Sequence, residues 1–116
     1  MAFSKQFLSG STNGRPIKVV ATATPGTLVH TAVAGTSSID EVWIYCNNTD
    51  ASDRKLTIEF GGVSAPDDLI EVDIPSESGP VLVVPGLPLQ NGLAVRAFGA
   101  AGNVLIITGY VNRIVP

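Results

Sequence analysis

The strongest constraint on this chain is a two-residue rhythm of apolar and polar side chains, cut at short intervals by glycine and proline. In RKLTIEF, Arg54 to Phe60, an extended backbone puts Leu56, Ile58 and Phe60 on one side and Lys55, Thr57 and Glu59 on the other. LIEVDIP repeats the pattern, with Ile70, Val72 and Ile74 set against Glu71 and Asp73. In VLIITGYVNRI, Leu105, Ile107, Gly109 and Val111 share a face with Arg113, while Ile106, Thr108, Tyr110 and Asn112 share the other. Side chains alternate across a strand, so this rhythm marks strands with one buried and one wet face. No window shows the i, i+3, i+4 recurrence of an amphipathic helix.

Reading on this basis gives eight strand segments: Pro16–Ala23, Thr27–Ala34, Ile39–Asn48, Arg54–Phe60, Leu69–Pro75, Pro80–Pro85, Leu93–Gly99 and Val104–Ile114. Short strands between turn residues predict an all-β, single-domain antiparallel β-sandwich, jelly-roll-like with about eight strands. A length of 116 residues suits one such domain. Residues 1–14, rich in Ser, Gly, Thr and Asn, read as a flexible N-terminal arm with Phe3, Phe7 and Leu8 as apolar anchors. Residues 15–116 read as the β-sandwich domain. In VLVVPGLPLQNGLAV the prolines cannot donate to a ladder, which predicts two buried strands bridged by a stiff apolar loop. Leu87 and Leu89 on that loop either mark a contact surface or plug the end of the sandwich.

Only 15% of the residues are charged, against about 25% in an ordinary domain. So neutral a surface implies that part of the exterior is covered by other chains. The net charge of −3 provides no general basic footprint for nucleic acid. The charge is nevertheless uneven: Lys5, Arg15 and Lys18 precede every carboxylate, and all ten carboxylates lie between Asp40 and Glu77. Cys46 is the single cysteine, so neither an internal disulfide nor a cysteine-based zinc cluster can form. The start MAFSKQFLSGSTNG lacks a signal-peptide core, and no run reaches the ~20 apolar residues of a membrane span. The expectation is synthesis in a cytosol, without export by the usual route and with no membrane partner.

Catalytic chemistry finds few footholds. The only histidine, His30, alternates with Leu28 and Ala32 in a strand and reads as a strand residue rather than a base. There is no G-x-S-x-G elbow, P-loop or dinucleotide fingerprint, and no cofactor is expected. Asp67, Asp68, Glu71 and Asp73 could hold a hard cation or act as paired acids, but they read first as a solvated edge that deters strand aggregation. No metal site is assigned. Trp43 and Tyr45 share a strand face and form a candidate stacking platform for a sugar.

Taken together, MAFSKQFLSGSTNGRPIKV, ATATPGTLVHTAVAGTSSIDEVWIYCNNTD, RKLTIEFGG, VPGLPLQNGLAVRAFG and the ending GYVNRI resemble the small β-sandwich virion proteins of tailed bacteriophages, most of all capsid decoration (cement) proteins. The resemblance implies a non-enzymatic structural role on the capsid exterior. The implied partners are major capsid protein subunits and further copies of the chain, as a dimer or trimer. Phe3, Lys5, Phe7, Leu8, Arg15, Leu87 and Leu89 are the candidate contact residues. A neck, tail or head-fibre component, a carbohydrate- or host-surface-binding module using Trp43 and Tyr45, and a small hydrolase using the Asp67–Asp73 acids are the alternatives.

Overall fold

The alternating segments form strands in a computed structural model that describes residues 1–116. There are nine: β1 (Ala2–Phe7), β2 (Ile17–Lys18), β3 (Thr27–Thr31), β4 (Ile39–Asn48), β5 (Arg54–Phe60), β6 (Leu69–Ile74), β7 (Val81–Leu89), β8 (Ala94–Gly99) and β9 (Leu105–Val115). One sheet, A, has the order β1-β9-β4-β7, with β2 also on β9; the other, B, has the order β3-β8-β5-β6. Every pairing is antiparallel. β1 and β2 both border β9, opposite 110–115 and 106–107, and act as one interrupted strand. With that strand counted once, the eight strands have the order of a jelly roll, crossing between the sheets at every connection but β5–β6.

The interruption has a cause in the sequence. After β1 the chain dips between the sheets to bury Leu8, which is 1% exposed. It then turns through Asn13 and Gly14, both at positive φ, and returns with Ile17 buried. Positive φ at Asn-Gly is the cheap way to make such a reversal. The segment expected to be a flexible arm is therefore an ordered edge strand, because Leu8 anchors its end and β9 satisfies its backbone.

The core lies between the sheets. Val42, Ile44 and Cys46 of β4 and Leu105, Ile107 and Val111 of β9 meet Leu56 and Ile58 of β5 and Val95 and Ala97 of β8. Each large aliphatic group buried here contributes about 1.5–3 kcal/mol.

Two expectations need correction. The loop expected after Pro85 is strand: β7 runs on to Leu89, accommodating Pro85 and Pro88 because it is an edge strand with register shifts against β4. Thr57 and Glu59 do point outward from β5, yet they are 4% and 1% exposed, covered by neighbouring loops and side chains.

Candidate binding face

Residues directly opposite one another in an antiparallel pair share a face, so the registers assemble the outer surface of sheet A row by row. Phe3, Ile114 and Ile39 form one row; Lys5, Asn112, Glu41 and Pro88 the next. Phe7, Tyr110, Trp43 and Pro85 follow, then Thr108, Tyr45 and Leu82. Phe3 is 69% exposed and Phe7 62%. The outer surface of sheet B has different chemistry. There Lys55 faces Asp73, Thr57 faces Glu71, and Arg96 faces Glu59.

The centre of the sheet A surface is rigidly built. The Trp43 and Tyr110 rings stack with centroids 6.3 Å apart and planes 15° apart. Trp43 Nε1 donates to Glu41 Oε1 at 2.8 Å, and Asn112 Nδ2 donates to the same oxygen at 3.1 Å. These two donors, the indole first, hold the Glu41 carboxyl below its usual range. Lys5 Nζ sits 4.4 Å from the centre of the Tyr110 ring, a cation–π contact. The indole lies on Gly86, where a Cβ would come within 2.7 Å of the ring. A Cβ on Gly109 would fall on the Trp43 carbonyl oxygen. Beside this cluster lies a groove of about 520 Å³ lined by Phe7, Tyr45 and Tyr110, with Lys5, Gln6 and Thr108 as its polar side chains.

Two expectations read separately from the sequence thus converge. Phe3, Lys5 and Phe7 of the supposed arm share one surface with Trp43 and Tyr45. Trp43 is not a free platform: it is clamped by Tyr110, Glu41 and Gly86 and does not line the groove. Leu8 is buried and touches no partner without unfolding. Leu87 and Leu89 pair with Val42 and Asp40 and pack against the core, so they plug the sandwich rather than mark its surface. Arg15 is exposed in the β1–β2 loop, away from any ion pair. Sequence alone does not mark Tyr110 as a site residue: its facing is legible, but its neighbours across β1 and β4 are not.

The buried polar groups form clamps. Ser9 N–H donates to His30 Nδ1 at 3.0 Å, which leaves the ring proton on Nε2, 2.8 Å from Asp40 Oδ2. Arg113 Nε and Nη2 donate to the two oxygens of Asp40 at 2.8 and 3.0 Å, and Val33 N–H adds a bond of 3.0 Å. Burial raises the Asp40 pKa, but the hydrogen bonds from Arg113 and His30 and the guanidinium charge outweigh it, so the carboxyl lies below its usual range. Asp40 raises Arg113 in return. The His–Asp pair has the form of a catalytic base and its orienting acid. However, His30 is 1% exposed, and the Ser9 hydroxyl is turned to the Thr31 amide at 2.7 Å. What the network does is tie the β1–β2 loop and β3 of sheet B to β4 and β9 of sheet A.

Glu59 forms a second clamp, accepting from Thr24 Oγ1 at 2.5 Å and Gly26 N–H at 2.6 Å and so holding the β2–β3 loop. Burial pushes the Cys46 thiol up to about 12, against a weaker opposing bond to Ile106. Glu71 pairs with Lys55 at 2.7 Å, and Asp68 caps the Ser64 amide. The Asp67–Asp73 acids do not converge: no cluster of three or more His, Cys, Asp or Glu side chains could hold a metal ion.

No protein-family model matches the chain, and comparison with curated proteins and with solved structures gives no significant match.

Proposed function

We propose that this chain is a structural protein of a tailed-phage virion that decorates the head shell, docking on capsid subunits through the outer face of sheet A. The observation that carries this reading is the unequal chemistry of the two outer faces. The solvent face of an antiparallel sheet is ordinarily polar. Here it bears Phe3, Phe7, Trp43, Tyr45 and Tyr110, and its carboxylate, Glu41, is already engaged by Trp43 and Asn112. Aromatic enrichment with few free charges is the composition of an interface core. The clamped Trp43 loses little side-chain freedom on binding. The charged face of sheet B would then point to solvent. The fold is neutral on the point, since jelly rolls serve in capsids, lectins and enzymes alike.

Shells stripped of the protein and incubated with purified chain provide the test. Replacing Phe3 and Phe7 by Asp removes about 1.5–3 kcal/mol of burial at each position and should lower occupancy at least tenfold. A Lys55→Glu change on sheet B should leave occupancy as it was. Equal occupancy for the Phe3/Phe7 variant would refute the docking face. Occupancy confined to one vertex would place the protein in the neck or tail.

The aromatic groove favours a second reading, a sugar-binding module. Its volume, about 520 Å³, lies within the ~300–1,000 Å³ range of ligand sites, and Phe7, Tyr45 and Tyr110 line it. A glycan-array signal lost in Tyr45→Ala would establish it.

A further inference from the structure

Each sheet has two edges, and three of the four are closed to further strands. β7 carries Pro85 and Pro88 and shifts register twice against β4. β3 is covered by the loop after β1: Gly10 N–H donates to Val29 O at 2.9 Å, and Ser9 Oγ accepts from Thr31 N–H. β6 displays the exposed carboxylates Glu71 and Asp73. These are the ways natural sheets discourage edge-to-edge pairing. β1, with the sequence AFSKQF, has no proline and no carboxylate, its one charge, Lys5, is drawn over the Tyr110 ring of the neighbouring strand, and it pairs with β9 along its whole length without a shift.

The backbone groups facing that open edge can be identified. Val19 N–H donates to Leu105 O, and Thr49 N–H donates to Val104 O. Leu105 therefore points to the β1–β2 side of β9, and Val104 to the β4 side. The register of β9 against β4 never shifts, so the alternation aims Val111, Arg113 and Val115 at β1. Their partners Gln6, Ser4 and Ala2 are engaged with β9. Phe3, Lys5 and Phe7 turn their N–H and C=O groups outward, and no other backbone bond within the chain takes them up.

We propose that β1 pairs antiparallel with β1 of a second copy about a two-fold axis perpendicular to the sheet, joining two A sheets into one. Such an axis keeps the outer face outermost only when residues of equal parity oppose each other. Centring the pair on Ser4 uses residues 1–7 completely. Phe3 lies opposite the second copy's Lys5, and Met1 opposite the second copy's Phe7. Those are cation–π and sulfur–aromatic pairs with no like charges opposed. Centring on Lys5 would instead set two ammonium groups face to face. The aromatic outer faces of the two copies become continuous. This dimer stands independently of the shell-docking reading.

Sedimentation of the full chain tests the proposal: the wild type should run at twice its 12.0 kDa mass. Lys5→Pro deletes an N–H aimed at the open edge and spares the β9 ladder, so it should halve the mass with the far-UV circular dichroism retained. Ser4→Cys brings two thiols together at the two-fold, with Cα atoms about 4.5 Å apart in a non-hydrogen-bonded pair. With oxidised glutathione as electron acceptor it should form a covalent dimer, whereas Lys5→Cys should not. If Lys5→Pro loses the fold, the Ser4→Cys link decides. A monomeric wild type, a folded Lys5→Pro dimer, or linkage through Lys5→Cys but not Ser4→Cys would overturn the proposal.

Discussion

Asp40→Ala withdraws one acceptor from four donors at once: Arg113 Nε and Nη2, His30 Nε2 and the Val33 amide. His30 is 1% exposed, so water cannot readily take the place of the carboxylate. Removing one partner from a buried ion pair costs about 3–5 kcal/mol. Arg113 is 29% exposed and recovers some hydration, which sets the loss near the lower figure, about 3 kcal/mol. For a domain of this size that lowers Tm by roughly 12 °C, at about 4 °C per kcal/mol. Urea unfolding followed by Trp43 fluorescence would read the change as a lower midpoint with an unchanged slope. Because Arg113 and Asp40 act as a pair, Arg113→Met added to Asp40→Ala should cost much less than it does alone, with a coupling of at least about 1 kcal/mol. The pH dependence has a definite sign. The Asp40 carboxyl lies below its ordinary value of 3.8 in the folded chain, so the unfolded chain binds that proton more tightly. Its contribution is complete above about pH 4 and is lost as pH falls through the folded-state value. The wild type should therefore lose stability more steeply in acid than Asp40→Ala. A loss under about 1 kcal/mol, or identical acid limbs, would show that the network merely fills space.

Gly109→Ala should abolish or severely weaken folding, since its Cβ would meet the Trp43 backbone in the middle of the β4–β9 pairing; soluble yield and Tm report it. The Cys46 thiol, buried and raised to about 12, should resist thiol reagents in native protein at pH 8 and react promptly in denaturant. Lys55→Met breaks an ion pair whose members are 49% and 46% exposed, and thermal melts should show no measurable change.

Period-two patterning makes the all-β class, most strand positions and the facing of side chains legible in the sequence, because alternation is a local property of an extended chain. Trp43 and Tyr45 on one face of β4, and Tyr110 with Asn112 on one face of β9, follow from counting alone. The reach of β7 through Pro85 and Pro88 does not: that stretch reads as a loop, and only its place at a sheet edge beside β4 lets a strand hold the prolines. The anchors of residues 1–14 were visible too, but not that Leu8 would enter the core and turn the segment into strand β1. The clamps were hidden for the same reason. His30, Asp40 and Arg113 lie in strands far apart in sequence, and only the jelly-roll order brings β3, β4 and β9 together. Glu59 alternates like a wet residue and is buried because the Thr24–Gly26 loop folds over it. The binding face shows the division most plainly. Trp43, Tyr45 and Tyr110 are assignable to strand faces from sequence, Phe3 and Phe7 are not, and strand order decides that all five share one surface. Local alternation determines which way a side chain points; only long-range pairing determines what stands beside it.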